Sequence, residues 1–200
     1  MRTAFVRFAA IGALAAFALA GCSNDPLAEQ YRDGNSKGYI SGDGTISEIK
    51  PANRTLPVEF SGTTAAGTSV SSLEFIGTVV VVNFWYANCP PCRVEAPVLE
   101  RLSVENKDNR VAFVGVNVRD QAEAVATFER AFGVTYPSIV DSDGTTQLAF
   151  AGEVSPRAVP TTIILDKHGR VAARILGKVA EPSILQTLIR DRLAEASPNG

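Results

Sequence analysis

The chain has 200 residues, 46% of them hydrophobic and 20% charged, with a formal net charge of -2. That length suits one domain with a sizeable core. The balance of 19 Lys and Arg against 21 Asp and Glu, with no basic run, excludes a nucleic-acid binder.

Arg2 and Arg7 flank the start of an uncharged apolar run, Phe8 to Ala20, FAAIGALAAFALA. A bilayer span needs about 20 such residues, so the run reads as the apolar core of a secretory signal. It ends in Leu19-Ala20-Gly21-Cys22, which resembles the bacterial lipoprotein signal. There the small residues suit a peptidase cleft, and Cys22 takes the lipid. The expected organisation is a signal over residues 1–21, a lipid-anchored tether over 22–37 and a folded domain over 38–200. The tether, SNDPLAEQYRDGNSK after Cys22, is polar and aperiodic. Acylation at Cys22 would bind the chain to a membrane. It would also place the domain outside the cytoplasm, where disulfides persist.

KGYISGDGTISEI predicts a short hairpin or ribbon around Gly42-Asp43-Gly44. Pro57 to Phe60 and Val70 to Leu73 flank a second turn-rich segment. Thr78 to Tyr86, TVVVVNFWY, is a β-branched and aromatic run suited to a strand buried on both faces. Pro90 to about Asn106 has helical spacing, with Val94, Val98, Leu99 and Leu102 expected inward. Arg110 to Val118 reads as a second buried strand. Asp120 to Phe132 reads as an amphipathic helix with Ala122, Val125, Ala126 and Phe132 inward. Pro137 to Val140 is a short third strand. Asp141-Ser142-Asp143-Gly144 resembles the opening of a calcium loop but lacks the later ligands, so it is a turn. Thr161 to Asp166 and Val171 to Leu176 flank the hairpin turn Lys167-His168-Gly169-Arg170. His168, the single histidine, is a surface turn residue. Ile184, Leu185, Leu188, Ile189 and Leu193 mark a final helix that begins at Glu181-Pro182. The order predicts an α/β fold, a central mixed sheet with helices on both faces.

Cys89 and Cys92 stand where the Thr78–Tyr86 strand ends and a helix begins. Their loop is too small to stabilise a fold much, so the pair suits making and breaking. A helix start offers unpaired N–H groups and the positive end of its dipole, which favour a thiolate. Cys89 is then the attacking thiol. Cys92, one turn in and expected to be the more buried, attacks Cys89 in the second step. Pro90 and Pro91 suit the first turn and remove two donors near the Cys89 sulfur, tuning its potential. A zinc site needs about four ligands, and two cysteines with a distant His168 do not supply them. No metal or other cofactor is expected.

NFWYANCPPC, with Val159-Pro160-Thr161-Thr162 far downstream, resembles the thioredoxin fold and, within it, the membrane-anchored TlpA/ResA-like branch. The likeness runs from about Pro57 to Ala196. It implies an N-terminal β extension and an extra αβ insertion, matched here by Gln121 to Pro137 and the following SIVDSDG. It implies a cis Pro160 facing the disulfide, leaving the backbone of Val159 open to an incoming peptide. Pro97 matches a mid-helix proline of thioredoxin-like proteins. Asn83 stands where thioredoxin has a buried proton-transferring Asp. Glu95 matches a glutamate of ResA-like proteins, and is expected to accept the Cys92 proton with a pKa raised by desolvation. Asn88 replaces the Trp that precedes the first Cys of thioredoxin. Trp85 is assigned to the core or to the substrate groove. Peroxiredoxins have Thr where this chain has Tyr86, which argues against a peroxidase. The implied activity is reduction of protein disulfides, such as those of apocytochrome c, with a membrane thiol protein as electron donor or acceptor. Two alternatives stay open. The same residues would serve a disulfide-donating oxidase, or the chain captures extended peptides beside Pro160 without catalysis.

Overall fold

The computed structural model describes residues 46–152 and 158–196. Cys22, the signal, the tether and the turn at Gly42-Asp43-Gly44 lie outside the described residues. The continuous β-branched run forms β4 (Val79–Trp85), whose residues are all buried. It lies parallel to β5 (Val111–Asn117) and antiparallel to β7 (Thr161–Leu165). With β1 (Ile46–Glu48), β6 (Ser138–Val140) and β8 (Val171–Leu176) the sheet order is β1-β8-β7-β4-β5-β6. β7 and β8 form the expected hairpin, with Gly169 at φ 77° in its turn. The second turn-rich segment is a ribbon of β2 (Ser61–Thr63) and β3 (Ser69–Ser71).

Four helices complete the described fold: α1 (Pro90–Asn106), α2 (Ala122–Phe132), α3 (Thr145–Ala149) and α4 (Pro182–Ala194). β4–α1–β5 and β5–α2–β6 step across the sheet in the same direction, which places both helices on one face. Side-chain alternation along β4 divides the core accordingly. Val79 and Val81 pack with Leu99 and Leu102 of α1 and Leu185 and Ile189 of α4. Val80, Val82 and Phe84 pack on the other face against Phe60 and Phe150. That second face carries the β2–β3 ribbon and short α3 rather than long helices. α3 has no strong sequence pattern. The Asp141 carboxylate starts it, accepting from Thr146 N at 2.7 Å and Gln147 N at 2.8 Å, so DSDG caps a helix.

Three inward assignments are corrected. Val94 is 63% exposed, because Cys92, Glu95, Ala96, Leu99 and Leu102 form the inward face of α1. Ala122 is exposed, and Phe128 takes its place among the buried residues of α2. Ile184 sits at the rim, 36% exposed, while Leu185, Leu188 and Ile189 are buried.

A buried ionic cluster fastens the far end of the domain. Arg54, whose side chain has 0% exposure, donates to Asp166 at 2.8 Å and to both Glu195 oxygens at 2.5 and 2.7 Å. Burial raises the Asp166 carboxyl, but bonds from Arg170, Arg54 and His168 outweigh it and hold it below its ordinary range. Removing one partner of a buried ion pair leaves the other charge uncompensated. Arg54→Met should therefore lower the unfolding free energy by about 3 kcal/mol with an unchanged m-value in urea titration.

Candidate active site

Cys89 and Cys92 form a disulfide across the first turn of α1, with their Cα atoms 5.2 Å apart. Cys89 is the N-cap, and its Sγ accepts from Cys92 N at 3.2 Å. Pro90 and Pro91 fill the first two helical positions and have no N–H. The Cys92 N–H is therefore the first helical donor available to the sulfur, and it would become a charge-assisted bond to a Cys89 thiolate. The expected contrast in burial is not present: Cys89 is 1% exposed and Cys92 2%. Both pack in one apolar cluster with Trp85, Ala96 and Phe128.

Asn83 and Glu95, one on β4 and one on α1, meet beneath the pair. Asn83 Nδ2 donates to Glu95 Oε1 at 2.9 Å and to Thr162 Oγ1 at 3.1 Å. Val179 N donates to Glu95 Oε2 at 2.8 Å. Glu95 is 1% exposed. Burial pushes its carboxyl up from 4.5 to about 7, against the opposing pull of the Val179 N–H, the Asn83 amide and the Lys178 charge. Helical spacing puts Glu95 one turn beyond Cys92 on the same inward face.

The Val159–Pro160 bond is cis, and Val159 packs against the cysteine cluster. Of the two places open to Trp85, it takes the core. It is 4% exposed, and its ring lies 4.2 Å from that of Phe128.

Three charged residues that no motif marks hold the loop before Cys89. Asp120 Oδ2 accepts from Ala87 N at 2.6 Å and from Asn117 Nδ2 at 2.8 Å. Arg93 Nη1 donates to Ala87 O at 3.3 Å, and its guanidinium lies 5.1 Å from the centre of the Phe132 ring. Arg119 lies 4.2 Å from the centre of the Tyr86 ring. Only the charged character of Arg93, next to Cys92, offered a sequence signal. Asp120 is 33 residues from its partner.

The Redoxin family model matches residues 51–189. Thiol-disulfide oxidoreductase ResA of Halalkalibacterium halodurans is 30% identical over 118 residues, which cover 59% of this chain and 65% of that protein. The chain thus spans just under two-thirds of that curated relative. A secreted thiol-disulfide isomerase from Corynebacterium glutamicum superposes with TM-score 0.70 at 30% identity, covering 79% of this chain and 98% of that one. A DsbF homologue from Corynebacterium diphtheriae gives TM-score 0.66 at 31% identity, covering 77% and 98%.

The raised Glu95 pKa has a stability consequence. A carboxyl that titrates higher in the folded state holds its proton while the unfolded chain has lost it. Stability therefore falls as pH rises from about 4.5 to about 7. Denaturant titrations across that window should show the decline. Glu95→Gln, neutral at every pH, should flatten it and gain on the native protein above neutrality.

Proposed function

The chain belongs to the Redoxin family, and we propose that it is a thiol–disulfide oxidoreductase that works outside the cytoplasm and reduces selected protein disulfides. The observation that carries this reading is the Cys89–Cys92 disulfide at the start of α1, with the Cys92 N–H directed at the Cys89 sulfur. In the dithiol form the Cys89 thiolate attacks a substrate disulfide. That S–S bond breaks, one substrate sulfur leaves as thiolate, and Cys89 is joined to the other. Cys92 gives its proton to Glu95 and attacks Cys89. The Cys89–Cys92 disulfide forms and the second substrate sulfur leaves, so two electrons pass to the substrate.

The surroundings support a macromolecular substrate. A groove of about 500 Å³ opens beside the pair, lined by Asn88, Arg93, Glu123, Thr127 and Phe132 among others. The resemblance implies that the backbone of Val159, which packs against the cysteine cluster, pairs with an extended segment of substrate. The reductive direction is what the resemblance to the TlpA/ResA-like branch implies. Apocytochrome c cysteines are the substrate class we infer from the resemblance, and a membrane dithiol protein is the inferred source of electrons. A disulfide-donating oxidase, which the same residues would serve, is the second reading. We further propose that residues 1–21 are the signal, that Cys22 carries the lipid anchor and that residues 22–37 are the tether.

The decisive measurement is the reduction potential of the pair. A reductant should lie near or below about -230 mV, and a value near -120 mV would reverse the direction. Cys89→Ser should abolish disulfide exchange, and Cys92→Ser should accumulate a mixed disulfide with substrate. If Cys89→Ser leaves exchange intact, the reading fails. Glu95→Gln should slow the second step and remove the inflection near neutrality from its pH–rate profile. Cys22→Ser should move the protein from the membrane fraction to the soluble one.

A further inference from the structure

A small cavity lies behind the disulfide, walled by Cys92, Asn83, Trp85, Tyr136 and Ser138 among others. Beside it Gly115 of β5 has no side chain, and a Cβ there would come 2.5 Å from Ser138 Oγ and 2.9 Å from Trp85 Nε1. The hydroxyl and the indole nitrogen therefore lie close together over the bare backbone of Gly115. The cavity offers about 10 Å³ for the centre of a water molecule, which is room for one water. Ser138 has 0% exposure, and its Oγ has no hydrogen-bond partner among the described residues. Burial raises the Glu129 carboxyl, which is near enough for that hydroxyl to draw it down against that rise. Buried hydroxyls are rarely left unbonded. An internal water commonly satisfies them where about two to four polar groups converge in a space of this size.

We propose that this cavity is a specific site for one internal water, held by Ser138 Oγ and Trp85 Nε1 against Cys92, and that in the dithiol form this water donates a hydrogen bond to the Cys92 thiolate. The site itself follows from the packing, and its role rests on the thiol–disulfide reading above. Bulk solvent does not reach a sulfur that is 2% exposed. The Cys92 N–H is directed at Cys89. The titratable groups around the cavity are Glu95 on α1, Glu129 on α2 and Tyr136 ahead of β6. The two carboxyls repel a thiolate when ionised. A neutral donor at the Cys92 sulfur opposes that repulsion and keeps the second thiol reactive. Ser138 is thus a positioning residue that acts through the water.

The test uses water itself as the probe. Cross-relaxation NMR on the reduced domain should show a long-lived water at the Trp85 indole N–H, and Ser138→Val, which occupies the space, should remove it. The Cys92 pKa, read from the shift of its labelled Cβ, should rise by about one unit in that variant. Resolution of the mixed disulfide should slow about tenfold at neutral pH, with its formation at Cys89 unchanged. Ser138→Ala, which deletes only the hydroxyl, should weaken the water signal and raise the Cys92 pKa should the valine variant fail to fold. Absence of a long-lived water in the native domain overturns the site. An unchanged Cys92 pKa in a folded variant overturns the role. The water signal needs no substrate, so a native domain that holds the water yet exchanges no disulfides would defeat the functional reading alone.

Discussion

One buried carboxyl joins the parts of the site. Glu95 accepts from Asn83 on β4 and from Val179 ahead of α4, and Asn83 donates onward to Thr162 on β7. The helix that carries the cysteines is thereby fixed to two strands and to the approach to the final helix. Burying a carboxylate is costly, and bonds to its charged form offset only part of that cost. The balance leaves Glu95 near neutrality, where a general base is most useful. The burial that lets this carboxyl align the helix is also what raises its pKa.

The junction between β4 and α1 is constrained from both sides. Pro90 and Pro91 need no hydrogen-bond acceptors for the first two helical positions, which leaves the Cys92 N–H for the Cys89 sulfur. Before Cys89, the N–H of Ala87 is claimed by Asp120 and its carbonyl by Arg93. Charge-assisted bonds of opposite sign thus fix the two peptide units on either side of the Ala87 Cα in a short, half-buried loop. Cys89, at the end of such a loop, is held in place as the N-cap of α1.

The segment from α2 to β6 forms part of the back wall of the site. Phe128 of α2 stacks on Trp85, and Tyr136 and Ser138 close the space behind Cys92. The β2–β3 ribbon and Phe150 cover the opposite face of the sheet. At the far end, Arg54 binds the loop after β1 to Asp166 and to Glu195 beyond α4.

Much of this was legible in the sequence wherever the cause is local. The run TVVVVNFWY can be satisfied only as a buried strand, and β4 is buried throughout. Pro-Pro after Cys89 is compatible with a helix only at its start, which is where α1 begins. The hairpin around Gly169 likewise follows from neighbours in the chain, whereas the cis Pro160 was implied by the resemblance alone. Periodicity was a poorer guide to which face is buried, since it assigns apolar residues inward. Val94 therefore faces solvent while Glu95 beside it is buried, a choice made by Asn83 and Val179, which lie 12 and 84 residues away. The equal burial of the two cysteines, the hold of Asp120 on Ala87 and the unbonded hydroxyl of Ser138 among the described residues have the same origin. Each depends on which strands the sheet sets side by side, and that order arises only when the whole core packs. The residue types and their spacing determined which chemistry the chain carries. The assembled sheet decided which groups surround that chemistry, because burial and hydrogen bonding between distant segments have no local signature.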